Sequence, residues 1–250
     1  MSEEEKSESG SPVFRHEAKD EGFVPAFGED VQIEAISDHI EKHIGPIESV
    51  FHEIVSHLVH IDVHWVKASK ERPYHAFITS GMSDLPMHVP EGLEDQAFAE
   101  VLILLPEDWG IDGEIGKSMD EVFKEETNYW PIGWLKTIAR FPHEYETYMG
   151  WGHTIPNGEE AEAFGTNTEL GCMMLLPCLD LSTEFFELKI SEEKTIRFYA
   201  LYPIYKEEME FKLKQGTEAL LDKFDKYRVS SILDVRRVNT CKKKGFLGLW

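Results

Sequence analysis

"HIDVHWV", residues 60 to 66, sets two histidines and an aspartate at every second position of a short apolar run. Two imidazoles and a carboxylate are donors that zinc or iron accepts, so the stretch raises the question of a metal site. If it is a strand, His60, Asp62 and His64 share one face. Alternate residues on a strand face lie about 6.5 to 7 Å apart, so His60 and His64, twice as far, cannot both ligate one ion. His60 with Asp62 can, given further ligands such as His75 or His153. The competing expectation is that these are polar side chains on a sheet face that meets solvent, a helix or a partner.

Other catalytic patterns fail on spacing. In "HEIVSH", residues 52 to 57, the histidines are five apart rather than four. On a regular helix they point about 140° apart instead of about 40°, so they do not chelate as a zincin pair does. "TSGMSDL" lacks the second glycine of a nucleophile elbow, and Ser80, Ser83 and Asp84 read as turn residues bonding nearby amides. No phosphate-binding glycine loop occurs. The expectation is a protein without enzymatic activity or cofactor. The alternative is a metal-dependent enzyme using His60, Asp62, His75 and His153.

Composition narrows the setting. The chain has 250 residues, 42% of them hydrophobic and 12% aromatic, enough for a single large core without staples. Its three cysteines form neither a disulfide framework nor a zinc knuckle, and Cys172 reads as a core thiol. The acidic, polar N-terminus "MSEEEKSESGSP" is unlike a signal peptide and no apolar run is long enough to span a bilayer, so a cytoplasmic protein is expected. Acidic residues number 47 against 25 basic, a net charge of −22. That excess repels nucleic acid and attracts a basic protein, although it also serves plain solubility. Residues 236 to 250 carry five basic and no acidic residues, so the rest of the chain is more negative still.

The elements that must position these residues follow from periodicity. Ile33, Ile36, Ile40 and Ile44 repeat at helical spacing up to Gly45, and Pro46 suits the start of a second helix through Ile47, Val50, Phe51 and Ile54. Strands are expected at Leu58 to Val66 and at "YHAFITS". "FAEVLILLP" is apolar on both faces and reads as a central strand, whose Glu100 needs a partner if it is buried. "WPIGWLKTIARFP" places Pro131 at a helix start and Pro142 just beyond its end. "LGCMMLLP", "FFELKI" and "TIRFYALYP" read as strands. "KEEMEFKLKQG" reads as a helix ending at Gly216, with Thr217 capping another through Leu220, Leu221 and Phe224. An α/β (α+β) domain results, a mixed, mainly antiparallel sheet flanked by helices. It spans 31–235, after an acidic, largely disordered segment 1–30 whose first dozen residues are excluded from the fold, and before a basic and apolar tail 236–250. That tail is expected to be flexible or folded back on the acidic domain, with membrane contact the lesser reading.

Taken in order, "HEIVSHLVHIDVHWV", "RPYHAFITSGMSDLPM", "FAEVLILLPEDW", "WPIGWLKTIARFPHEYETYMGWGHTIPNG" and "IRFYALYPIYKEEMEFKLKQGTEALL" resemble the suppressor-of-fused domain family in its bacterial form, over residues 30 to 225. The resemblance implies an α/β domain that acts by binding protein. Animal members hold a transcription factor by gripping an extended peptide. Some bacterial members are inferred to be immunity proteins that neutralise toxins, for which a basic partner, toxin or regulatory protein, suits the charge. The peptide-gripping residues of the animal members are not carried over. The motifs single out Ser80, Gly81, Ser83, Asp84, Trp130, Pro131, Gly152, His153 and Glu208 as a signature surface. Each also has an ordinary structural role available: backbone geometry for the glycines, packing for Trp130, a helix start for Pro131 and a favourable first-turn charge for Glu208. The pair Asp84 and His153, in a strand-end turn and a "GWGHT" loop, carries the functional expectation.

Overall fold

The computed structural model describes residues 5–16, 30–53, 58–111, 123 and 126–242. Helix α1 (Asp30–His43) leads into strands β1 (Ser49–Phe51), β2 (Asp62–Val66), β3 (Tyr74–Ser80) and β4 (Ala99–Pro106). Helix α2 (Glu126–Glu144) then precedes β5 (Thr154–Pro156), β6 (Leu170–Leu176), β7 (Glu187–Lys189) and β8 (Thr195–Tyr205), and the chain continues through α3 (Lys206–Gln215) and α4 (Thr217–Tyr227). The strands form one sheet in the order β1-β2-β3-β4-β8-β6-β5, with β7 pairing to the start of β8. Among the described strands only the central pair, β4 with β8, is parallel.

Period-two alternation divides the core between the two faces. Val101, Ile103 and Leu105 of β4 face the layer that holds Ile132, Leu135 and Ile138 of α2. Leu102 and Leu104 face the opposite layer, with Ile36 and Ile40 of α1, Met209 of α3 and Leu220 and Phe224 of α4. A central strand covered on both sides has no wet face, which is why "AEVLILL" shows no polar alternation after Glu100.

Several boundaries differ from the expectation. The helix expected after Pro46 is strand β1 instead, because Val50 pairs with His64 and Phe51 stacks on Trp65, 6.2 Å between ring centroids. A few apolar residues fit either period, and the free edge of β2 decides between them; Ile54 lies outside the described residues. Helix α2 begins at Glu126 and runs through both prolines. A proline in the second turn forgoes one backbone bond, and its fixed φ still suits the helix. Gly216 occupies the N-cap of α4, so Thr217 is that helix's first residue rather than its cap.

The described parts of both terminal segments pack against the domain. Residues 5–16, placed partly outside the fold by their composition, close an antiparallel bridge between Lys6 and Pro12 and donate the Ser9 N–H to the Leu213 carbonyl at 3.0 Å. Beyond position 235, Arg237, Asn239 and Thr240 fold back onto α3. Residues 243–250, with the apolar end of the tail, lie outside the described residues.

Candidate functional site

Strand β3 ends at Ser80, and the chain turns at once through a short 3-10 segment, Met82–Asp84. Gly81 makes that turn possible. Its φ is +105°, and a Cβ there would stand 1.8 Å from the His60 carbonyl oxygen, so only glycine fits between the two chain segments. The turn drives Ser83 into the molecule, where its hydroxyl and its N–H both donate to Glu100 Oε1, at 2.7 and 2.9 Å. Thr79 donates its hydroxyl to Glu100 Oε2 at 2.7 Å. Burial is the dominant influence on this carboxyl and lifts it to about 7, against the opposing pull of these hydrogen bonds. Lys194 ties the outside of the turn, donating to the Ser83 carbonyl at 2.7 Å and lying 4.3 Å from the Phe98 ring centroid.

Beside this turn, the face of β2 that carries Asp62 and His64 is dry. Asp62 is 1% exposed and His64 fully buried, so of the expected surroundings, solvent, a helix or a partner, solvent is overturned for these two side chains. Strand β2 begins only at Asp62, and His60 sits in the approach to it, half-buried. His64 Nε2 lies 2.9 Å from Ser80 Oγ, while its Nδ1 has no hydrogen-bond partner among the described residues. Desolvation lowers this imidazole to about 4, so it is neutral at ordinary pH.

The proposed helpers of His60 are elsewhere. His75 Nδ1 accepts the Trp65 indole N–H at 3.0 Å on the opposite face of the sheet. His153 opens the β5 region, with β4, β8 and β6 lying between β5 and β3. The set His60, Asp62, His75 and His153 is therefore not one site. Asp62 instead collects His52, whose Nδ1 lies 2.7 Å from Oδ2, and His60, whose Nε2 lies 2.9 Å from Oδ1. His52 was missed because ten residues separate it from Asp62, and it follows a strand where a helix was expected.

The same sheet order separates Asp84 from His153, so that pair is not a joint site either. His153 packs against Tyr148, 5.1 Å between centroids, and burial lowers it to about 4, with the Lys212 charge acting in the same direction. Gly152 is buried at φ +75°, and a Cβ there would crowd Thr217 at 3.1 Å.

Most of the remaining signature residues are interior. Ser80, Ser83 and Glu208 are 1%, 0% and 0% exposed, so they are not a surface. Trp130 is also buried, stacked on Phe164 with centroids 5.4 Å apart, and donates its indole N–H to Asn167 at 3.2 Å. Pro131 is buried within α2. Glu208 is the hub of the C-terminal segment. Its two oxygens accept from Arg237 at 2.8 and 2.5 Å, from the Tyr205 N–H at 3.0 Å, and from the Thr240 N–H and hydroxyl, both at 2.9 Å. Burial pushes this carboxyl up, but the guanidinium and the amides outweigh it and hold the group below its ordinary value.

Cys172 is buried in the core and its thiol is pushed well up by burial, as expected of an unreactive cysteine. Among the described residues no helix is long and apolar enough to cross a membrane.

Comparisons with known proteins agree with this architecture. A family model described as Suppressor of fused protein (SUFU) matches residues 57–238. Among solved structures, a SUFU homologue from Neisseria gonorrhoeae is similar with a TM-score of 0.59 and 18% identity, covering 86% of this chain and 100% of its own. A Sufu-Fu complex structure is similar with a TM-score of 0.54 and 14% identity, over 87% of this chain and 93% of the other. Drosophila Suppressor of Fused matches with a TM-score of 0.54 and 15% identity over 84% of this chain, which spans 51% of that protein's chain. No curated protein matches. These identities speak for the fold alone, while the family model covers most of the domain, the stretch from β2 through the Glu208 hub and Arg237 included. The chain belongs to the suppressor-of-fused family.

Proposed function

We propose that this protein is a non-enzymatic binding module whose partner is a basic protein. The observation that carries the reading is the net charge of −22 on a suppressor-of-fused fold. A negative surface raises the encounter rate with a positive partner and disfavours nucleic acid. Part of that charge is gathered where β4 and β8 begin, with Glu94, Asp95, Glu187, Glu192 and Glu193 all exposed. Arg197 is tied there to Asp95 at 2.8 Å and to Glu187 at 3.2 Å. The Sufu-Fu complex is a precedent for a protein partner on this fold. Neutralisation of a basic toxin, as an immunity protein in the cytoplasm, is the specific role that fits an acidic binder best.

The test is capture from the native cell lysate at low and at moderate salt, followed by titration of the purified pair across ionic strength. A basic partner held in near-equimolar amount, with affinity falling as salt rises, is the expected outcome. Absence of a stoichiometric partner at every salt concentration overturns the proposal. So does a partner whose affinity is indifferent to salt.

A further inference from the structure

We propose that His52, His60 and Asp62 form a binding site for a borderline divalent metal ion of the zinc type, a site independent of the partner reading above. The three donors come from the two ends of the connection between β1 and β2: His52 directly follows β1, His60 stands two residues before β2, and Asp62 opens that strand. Their ligating atoms all lie within 4.8 Å of one another. Each oxygen of one buried carboxylate faces a different imidazole, Oδ2 to His52 at 2.7 Å and Oδ1 to His60 at 2.9 Å.

The donor chemistry selects the ion. Two imidazoles with one carboxylate suit zinc, copper or nickel, whereas magnesium and calcium require all-oxygen shells. Ligand bonds of about 2.0 to 2.2 Å set tetrahedral donor atoms about 3.3 to 3.5 Å apart, so each imidazole would withdraw from the carboxylate oxygen it faces by about half an ångström or somewhat more. The His52 side chain, 65% exposed, has the freedom to do so and leaves room for water at a fourth position. Asp62 is the fixed member. It is buried in strand β2, and its Oδ1 also accepts the Glu53 N–H at 3.2 Å, a second contact that orients the ligand. A bound ion would fasten both ends of the β1–β2 connection to the edge of the sheet, acting as a structural clasp. Because imidazole must be deprotonated to ligate, affinity falls in acid.

The experiment is a titration of the untagged, chelator-treated full chain with zinc, and with cobalt as a visible reporter of tetrahedral coordination, on the parent and on H52A, H60A, D62N and H43A. His52 is exposed, so H52A keeps its fold and reads the site even if D62N is destabilised. His43 is the control, since its ring lies 4.6 Å from that of His39 and the two form a competing imidazole pair on α1. Expected are about one zinc per chain, no competition from magnesium, and at least about tenfold weaker binding in H52A and H60A, with H43A unchanged. Zinc binding unaltered in H52A and H60A overturns the proposal, as does loss only in H43A. Absence of saturable one-to-one binding overturns it too, and leaves a hydrogen-bonded trio.

Discussion

Glu100 and Glu208 are both fully buried glutamates in suppressor-of-fused motifs, yet the molecule holds them in opposite ways. Glu100, at the start of the central strand, accepts hydrogen bonds from the hydroxyls of Thr79 and Ser83 and from the Ser83 amide. Those donors are neutral, burial prevails, and the carboxyl rises to about 7. Glu208, in the first turn of α3, also meets a hydroxyl and amides, but Arg237 spans both of its oxygens. There burial is outweighed and the carboxyl is held low. Burial alone thus does not set a buried acid's charge state; the charge of its donors does. The two sites also differ in reach. Glu100 is satisfied by the neighbouring strand and its turn, whereas Glu208 draws in a segment about thirty positions further along the chain.

The sharpest way to break this comparison is R237A. It leaves Glu208 as a buried carboxylate without its cation, and a loss of about 3–5 kcal/mol in urea unfolding is expected. A loss below about 1 kcal/mol, the worth of an exposed pair, would mean that the guanidinium does not govern this site. Next in size is G81A, which forces a Cβ towards the His60 carbonyl at a positive φ and disturbs the turn that delivers Ser83. A loss of about 2–4 kcal/mol is expected, measured the same way. Stability close to the parent's would show that the turn can open without cost and that Ser83 is not held by it.

The smallest effect separates the two acids by pH. In the window from 4.5 to about 7 the folded state binds a proton at Glu100 that the unfolded chain has released, so this group's contribution falls as pH rises through that window. His64, His75 and His153, each lowered to about 4 by burial, act with the opposite sign: their contribution is whole above 6.5 and is lost as pH falls towards 4. E100Q removes the first dependence and leaves the second. Relative to the parent, the variant should gain of the order of 1–3 kcal/mol between pH 5 and pH 8, read from urea unfolding at each pH. An E100Q difference constant across pH would mean that Glu100 stays charged throughout.

Much of this architecture was legible from periodicity. "AEVLILL" had to be a central strand because residues of both parities are apolar, and α1, α3 and the long β8 announced themselves by spacing, glycine or length. Strand β1 did not, because three residues carry no reliable period and only the edge of β2 makes them extended. Helix α2 was read too short because proline argues locally for a boundary, while packing of Ile132, Leu135 and Ile138 under the sheet carries the helix through it.

The candidate sites divide in the same way. Residue types and short spacings alone determined that Glu100 would need partners, that Cys172 would be inert, and that HEIVSH is no zincin helix. Only the tertiary structure decided which side chains meet. Sheet order parts Asp84 from His153, and the two faces of the sheet part His75 from His60. The return of the chain through β2 sets His52 against Asp62, and the fold-back of the C-terminal segment sets Arg237 against Glu208. Hydrogen bonds act over about 3 Å of space whatever the distance along the chain, so such pairings belong to the fold and not to any local pattern.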